Sequence, residues 1–128
     1  MAPRSTDGVT DVVLFGLKPG VTRERFLGTV DAVSEWAQQQ PGFVSRELSY
    51  VRADGRWVEV VRWETNEAAD RAAEAELTAD SCQPMFGLID WDTIQIMRAE
   101  PAIARVSGGA SVAGPADVAD RASRVPQG

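Results

Sequence analysis

The chain has 128 residues, of which 44% are apolar and 25% are charged, so its size and composition are those of one globular domain. Its formal charge is −6 and its sequence pI is about 4.6, so no net positive field is available to attract nucleic acid. The absence of histidine excludes histidine-ligated metal or haem and every Ser-His or Cys-His nucleophile pair, and a single cysteine, Cys82, excludes an intrachain disulfide.

The sequence divides into three segments. Residues 1–8 form a polar leader without the apolar stretch of a secretion signal, residues 9–100 carry the patterned region, and residues 101–128 form a tail of mostly Ala, Gly, Ser and Pro. We expect this tail to be disordered because it cannot bury enough apolar area to offset the entropy of ordering, unless Ile103 and Val106 dock on the body or on a neighbouring subunit. No stretch approaches the ~20 apolar residues that span a bilayer, so we expect a cytoplasmic protein without a membrane partner.

A strand and a helix open the patterned region. The β-branched residues of Val9–Phe15 predict a strand that ends at the turn signal Lys18-Pro19-Gly20. Thr22 stands where a helix N-cap belongs, and Gln40-Pro41-Gly42 ends the helix. The predicted apolar face of this helix consists of Phe26, Val30, Val33 and Ala37.

A β-hairpin follows the first helix. Phe43–Arg52 and Arg56–Glu64 are rich in β-branched and aromatic residues and flank Asp54-Gly55, which is a strong hairpin signal. A two-residue turn at Asp54-Gly55 predicts the cross-strand pairs Arg46–Trp63, Leu48–Val61 and Tyr50–Glu59 on one face, with Glu47–Arg62 as an ion pair on the other. A one-residue bulge would change this assignment.

The remainder predicts a second helix and a last strand. Thr65 caps an alanine-rich helix that fades near Asp80, residues 82–89 form a short irregular helix, and Trp91–Met97 alternate as a strand. The resulting order, βαββαβ, is that of the ferredoxin-like α+β fold, in which both helices cover one face of an antiparallel sheet.

Apolar residues lie on both faces of the predicted sheet. Val58 and Val60 alternate with Trp57 and Val61, and the first strand shows the same alternation. A sheet with one solvated face should be polar on that face. We therefore expect a partner sheet, most simply from a second copy of the chain in a two-fold homodimer.

Two parts of the sequence resemble families of the dimeric α+β barrel superfamily. The segment Trp57–Thr65 (WVEVVRWET), followed by Glu67-Ala68-Ala69, is similar to the antibiotic-biosynthesis monooxygenase domain, as is Met85–Asp90 with the closing strand. The opening Val12–Thr22 (VVLFGLKPGVT) resembles instead the stress-responsive dimeric barrel family, which includes polyketide cyclases. Together the resemblances cover residues 9–99 and imply a dimeric α+β barrel.

The monooxygenase resemblance implies oxidation of an electron-rich phenol, typically a polycyclic polyketide, without metal, flavin or another cofactor. The deprotonated substrate itself reduces oxygen, and the protein supplies a water-poor cavity, a proton acceptor and donors for the oxyanion. Trp63 matches the pocket tryptophan of the family. Oxygenating members also use an asparagine near it, whereas the only asparagine here, Asn66, stands at a predicted helix start, where capping explains it.

Four residues form the candidate catalytic strip, namely Arg46, Tyr50, Glu59 and Trp63. As a site, the arginine would hold an anion, the tyrosine or glutamate would move a proton, and the tryptophan would stack on an aromatic ligand. As structure alone, Arg46 would lie over Trp63 in a cation–π contact, and Tyr50 would share a hydrogen bond with Glu59.

The expected substrate-contacting residues are Phe15, Trp36 and Phe86, although Trp36 fits a lid or a core edge equally well. We interpret Asp90 and Asp92 as turn residues rather than metal ligands, and Cys82 as a buried small residue. The leading hypothesis is a cofactor-independent monooxygenase of an aromatic secondary metabolite. The alternatives are a cyclase or isomerase of a polyketide-like substrate, and a non-catalytic ligand-binding protein of the same fold.

Overall fold

The computed structural model describes residues 8–103, 105 and 107. The predictions for the leader at 1–7 and for Val106 and the rest of the tail lie outside the described residues. Ile103 is described and is exposed. The strands are β1 (Val9–Leu17), β2 (Phe43–Val51), β3 (Arg56–Trp63) and β4 (Ile89–Ala99), and the helices are α1 (Arg23–Leu27), α2 (Val30–Gln38), α3 (Asn66–Glu76) and α4 (Gln83–Phe86), with a 3₁₀ turn at Asp80–Cys82.

The four strands form one antiparallel sheet in the order β2-β3-β1-β4. Alternate residues of β1 and β3 contact the helices: Phe15 and Trp57 pack with Val33 of α2, whereas Val61 and Trp63 pack with the alanines of α3. Both helical layers therefore lie on one face of the sheet, and the predicted ferredoxin-like α+β architecture is confirmed.

Side-chain caps start both of the predicted helices. The Thr22 hydroxyl accepts a hydrogen bond from the Arg25 N–H at 3.1 Å, and the Thr65 hydroxyl accepts one from the Ala68 N–H at 3.0 Å. The first helix is divided into α1 and α2 by a turn at Gly28 and Thr29, where the Thr29 hydroxyl and backbone N–H donate to the Phe26 carbonyl at 2.7 and 2.9 Å. That carbonyl is the acceptor that a continuous helix would offer to residue 30.

The predicted register of the hairpin is wrong by two residues. The loop spans residues 52–55 rather than Asp54-Gly55 alone, with Gly55 at φ 75° and its N–H donating to the Val51 carbonyl at 2.8 Å. The observed pairs are Arg46–Val61, Leu48–Glu59, Tyr50–Trp57 and Glu47–Val60.

The shift of register changes the cross-strand partner of each residue but not the face of the sheet on which its side chain lies. Because the side-chain period of a strand is two, each residue keeps its predicted face while its partner changes. The expected ion pair between Glu47 and Arg62 is therefore absent, and Arg62 instead donates to the Thr10 hydroxyl at 3.2 Å. A bulge between Phe43 and Ser45 also returns the Phe43 ring to the helix-facing side, against Trp63 at 5.7 Å.

The second face of the sheet carries an apolar stripe across β3, β1 and β4. Its members are partly buried or exposed side chains, namely Val12, Leu14, Val58, Val60 and Met97. Met97 is 53% exposed.

Candidate functional site

A cavity of about 370 Å³ lies between the sheet and helices α2 and α3. This volume is within the range of ligand pockets, roughly 300–1,000 Å³. Its walls combine aromatic, aliphatic, small and charged side chains, and they include Trp36, Trp63, Val13, Val33, Val61, Ile96, Ala69, Ala72, Ala73, Asp11, Arg46, Glu59, Glu76 and Arg98.

The sequence of α3 leaves room for this cavity. Ala69, Ala72 and Ala73 line it, and each ends at its Cβ, so the space that larger side chains would fill between helix and sheet stays open. Trp36 of α2 and Trp63 of β3 also line this cavity. The cavity can therefore hold a flat aromatic ligand against two indole rings.

Arg46 and Glu59 form a buried ion pair in the wall of the cavity. The Arg46 Nε donates to Glu59 Oε2 at 2.6 Å, and the two side chains are 4% and 14% exposed. Arg46 Nη1 also donates to the Ser34 hydroxyl at 2.6 Å. This guanidinium is thus fixed by β3 and α2 together, instead of lying over Trp63 as the structural interpretation of the sequence expected.

Glu76, the last residue of α3, brings a further carboxylate to the cavity. Burial raises the pKa of this carboxyl from its usual value of 4.5 to about 7; repulsion from Glu59 and Asp11 adds to the increase, and attraction to Arg46 opposes it. Glu76 can therefore exchange a proton near neutral pH.

The sequence analysis did not select Glu76, although its spacing contains the necessary signal. Glu76 follows Ala69 by seven residues and Ala72 by four, which places it on the same helix face as those sheet-facing alanines. An acidic residue on the alanine face of a helix that packs on a sheet is expected to have a carboxyl partly shielded from water.

A polar cluster around Arg98 borders the cavity. Arg98 Nε contacts Asp11 Oδ1 at 2.7 Å, and its Nη1 contacts Asp70 Oδ1 at 2.6 Å and Asn66 Oδ1 at 3.4 Å. The only asparagine of the chain therefore accepts a hydrogen bond from an arginine of the cavity wall, while Thr65 provides the helix cap. Next to this cluster, Ile96 is 65% exposed.

Four of the seven predicted site residues lie together at the cavity, namely Arg46, Glu59, Trp63 and Trp36. Tyr50 does not: it pairs with Trp57 nearer the hairpin loop, with ring centroids 4.9 Å apart, and the Arg23 guanidinium lies 4.6 Å from its ring centre. The shifted register causes this difference, because Trp57 rather than Glu59 stands opposite Tyr50.

Phe15 and Phe86 also lie outside the cavity walls. Phe15 has no exposed surface and packs edge-on against Phe26 at 5.8 Å, so it belongs to the core. Phe86 packs against Trp91 at 5.5 Å, and its carbonyl accepts a hydrogen bond from the Trp91 indole at 2.9 Å. The structure therefore places neither ring where it could contact a ligand of this cavity.

The remaining reactive side chains have structural surroundings. Cys82 is fully buried, and burial raises the pKa of its thiol to about 11, which disfavours the reactive thiolate. Asp90 accepts a hydrogen bond from the Asp92 N–H at 3.1 Å, as expected for a turn residue. Across residues 8–103, no group of three or more acidic or thiol side chains is arranged to hold a metal ion.

A second depression, of about 460 Å³, lies on the outer side of α3 and is bounded by Gln40, Pro41, Arg71 and Glu74. Its walls contain no aromatic ring, and these four side chains are exposed or only partly buried. The cavity beneath the helices is therefore the better candidate for a ligand site, although it is smaller.

Solved structures of one fold superpose on this chain. SnoaB, a cofactor-independent oxygenase from Streptomyces nogalater, matches with a TM-score of 0.58 over 81% of this chain and 99% of its own, at 22% identity. A candidate antibiotic biosynthesis monooxygenase from Bordetella bronchiseptica matches with a TM-score of 0.62 over 76% of this chain and 99% of its own, at 16% identity. This chain has their fold. A further candidate of the same name, from Chloroflexus aurantiacus, matches with a TM-score of 0.55 over 80% of this chain and 100% of its own, at 18% identity.

The predicted resemblance to the antibiotic-biosynthesis monooxygenases is thus confirmed at the level of the fold. No protein-family model and no curated protein sequence matches the chain. Among the described residues, every helix is too short or too polar to cross a bilayer.

Proposed function

We propose that the protein is a cofactor-independent monooxygenase that oxidises an aromatic, polyketide-type phenol in the cavity beneath α2 and α3. The observation that carries this proposal is the wall of the cavity. Two indole rings face the same space as a fixed guanidinium and a carboxyl with a pKa near 7. SnoaB, a cofactor-independent oxygenase, supports the proposal through its fold.

The residues of the cavity divide the chemistry between them. Trp36 and Trp63 stack on the aromatic substrate and exclude water from it. Arg46, which Glu59 and Ser34 hold in place, presents positive charge to the oxyanion that forms on deprotonation.

For an anthrone-type substrate, the reaction balances without an external reductant. The anion reduces molecular oxygen, one oxygen atom replaces two hydrogens of the ring methylene as a carbonyl, and the other leaves as water.

Oxygen uptake with an anthrone tests the proposal. Trp63→Phe should lower kcat/KM by about 3- to 10-fold, because the smaller ring provides less stacking. Trp91→Phe is the matched control, since Trp91 packs on Phe86 outside the cavity walls, and it should leave the rate unchanged. The proposal is refuted if oxygen uptake stays at the uncatalysed rate with each anthrone and each naphthol-type hydroquinone that is tested.

A second candidate function is cyclisation or isomerisation of a polyketide-like substrate. The carboxyl of Glu76 favours it, because a proton acceptor near pH 7 can remove a proton next to a carbonyl without histidine. Turnover that persists without oxygen distinguishes this function from oxygenation. Tight binding without product in either atmosphere would instead indicate a ligand-binding protein.

The apolar stripe on the second sheet face supports a homodimer. Val12, Leu14, Val58 and Val60 lie on the face opposite the helices, and two such faces brought together would bury them. The proposed active unit is therefore a two-fold dimer with one cavity in each subunit.

A further inference from the structure

We propose that Glu76 is the proton acceptor of the cavity and takes the hydroxyl proton of a neutral bound phenol. The assignment rests on the proposed function and names its general base and the charge state of its substrate. Glu76 would be a catalytic residue in the strict sense, because its carboxylate touches the reacting proton.

Hydrogen bonding separates Glu76 from the other carboxylates of the cavity. Glu59 is bound to Arg46 at 2.6 Å, and Asp11 is bound to Arg98 at 2.7 Å, so both have a permanent cationic partner. Within residues 8–103, the side chain of Glu76 has neither an ion pair nor a hydrogen bond. Its carboxylate lines the cavity, so it can accept a hydrogen bond from a ligand there.

Charged groups from all four strands surround Glu76, namely Asp11 of β1, Arg46 of β2, Glu59 of β3 and Arg98 of β4. The 3₁₀ turn adds the Cys82 thiol, which is neutral. With Glu76 ionised, the walls carry three acidic and two basic groups. A neutral phenol therefore enters a site of net negative charge at no electrostatic cost, whereas an aromatic carboxylate is repelled.

The proton transfer is balanced as one bond broken and one formed. The O–H bond of the phenol, which for an anthrone is the hydroxyl of its enol tautomer, breaks, an O–H bond forms on the Glu76 carboxylate, and the electron pair stays on the phenolate oxygen. The net charge of the walls then changes from −1 to zero, so the phenolate no longer faces a net negative site. When oxygen has added to the ring carbon, the proton on Glu76 and the remaining hydrogen of that carbon leave with one oxygen atom as water, the carbon keeps the other oxygen as a carbonyl, and the Glu76 carboxylate is restored.

The experiment compares wild-type protein, Glu76→Gln and the control Glu74→Gln, which changes an exposed carboxylate on the outer side of the same helix. The substrate is 1,8-dihydroxyanthrone, and kcat/KM for oxygen uptake is measured from pH 5 to pH 10. We expect the wild-type and control rates to rise about tenfold per pH unit up to a plateau near pH 7. Glu76→Gln should be about 10²- to 10⁴-fold slower at pH 7, with a rate that keeps rising until the phenol itself ionises.

A binding measurement without oxygen keeps the test independent of turnover. Matched titrations with 1-naphthol and 1-naphthoate should show a preference of wild-type protein for the naphthol. Glu76→Gln should bind naphthol within about threefold of wild type, which shows that the variant is folded, and should bind naphthoate at least about tenfold more tightly.

The outcomes separate this inference from the proposed function. Oxygen uptake by Glu76→Gln with the wild-type rate and pH profile would overturn the role of Glu76 and leave the monooxygenase standing. No oxygen uptake by wild type, together with the expected change in naphthoate binding, would overturn the monooxygenase and support Glu76 as the ionised group of the site. Equal naphthoate affinity in both proteins would overturn the role of Glu76 in setting the substrate charge.

Discussion

The buried ion pair between Arg46 and Glu59 predicts a large loss of stability when only one partner is removed. The two side chains are 4% and 14% exposed, and Arg46 Nε lies 2.6 Å from Glu59 Oε2. Arg46→Met keeps most of the aliphatic stem but leaves the Glu59 carboxylate without its counter-ion, beside Glu76. An uncompensated buried charge costs about 3–5 kcal/mol, so we expect the free energy of unfolding to fall by about that amount.

An exposed ion pair of the same hairpin provides the matched control. Arg56 Nη2 lies 2.8 Å from Asp54 Oδ2, but these side chains are 36% and 45% exposed. Arg56→Met should therefore leave the free energy of unfolding nearly unchanged, since water screens both charges. The comparison holds residue type and distance nearly constant and changes burial.

A double variant separates the charge from the packing. In Arg46→Met with Glu59→Leu, no charge is left unpaired, so this protein should lose less stability than Arg46→Met alone. Urea titration followed by tryptophan fluorescence measures wild type, Arg46→Met, Glu59→Leu, the double variant and the control Arg56→Met, because Trp36 and Trp63 line the same cavity as the ion pair. The reasoning is refuted if Arg46→Met costs less than about 1 kcal/mol, or if the effects of Arg46→Met and Glu59→Leu simply add in the double variant.

Three further predictions concern Glu76, the cavity volume and the second sheet face. Because the pKa of Glu76 is raised, the folded protein holds more protons than the unfolded protein between pH 4.5 and about 7. The contribution of protonated Glu76 to the free energy of unfolding is therefore fully present below pH 4.5 and is lost above pH 7. Glu76→Gln should therefore be more stable than wild type by roughly 1–3 kcal/mol at pH 8, and calorimetry across this window checks it. Ala73→Leu should weaken naphthol binding at least about tenfold by filling the cavity, whereas Ala75→Leu, outside it, should not; isothermal titration measures both. Val60→Glu should halve the mass measured by sedimentation velocity, and Gln38→Glu on the exposed side of α2 should leave it unchanged; a wild-type monomer at micromolar concentration would contradict the dimer.

Local signals were sufficient for the order of the elements and for the caps. Thr22 and Thr65 cap their helices because a threonine hydroxyl reaches the N–H three residues on, which depends on neighbouring residues alone. The register of the hairpin, in contrast, is not determined by neighbouring residues alone. Asp54-Gly55 fits both a two-residue turn and the end of a four-residue loop, and the observed loop uses Gly55 as its left-handed residue.

The alternation of side chains between the two faces of a strand explains which site residues could be assigned to the correct face from the sequence. A shift of two residues keeps every side chain on its face, so Arg46, Glu59 and Trp63 share one face as predicted, and that face is the one covered by the helices. This alternation of side chains between the two faces does not determine how far along the strand a residue lies, or how the helices above the sheet are shaped. Phe15 and Tyr50 therefore share the correct face with the cavity but lie nearer the hairpin loop, Phe15 in the core and Tyr50 against Trp57 with 37% of its surface exposed.

Glu76 connects the stability of the protein with its proposed chemistry. An unpaired carboxylate in a shielded site is destabilising when ionised, and glutamine at the same position would remove that cost without changing the shape of the side chain. A residue that lowers stability at the pH where its charge is needed is expected at a functional site rather than in a structural core, because cores pair or omit such groups. Two other pairs of charged groups in the cavity walls are neutralised in this way: Arg46 pairs with Glu59, and Asp11 pairs with Arg98. The one carboxylate of these walls that no described cation neutralises is therefore the one left to act on a ligand.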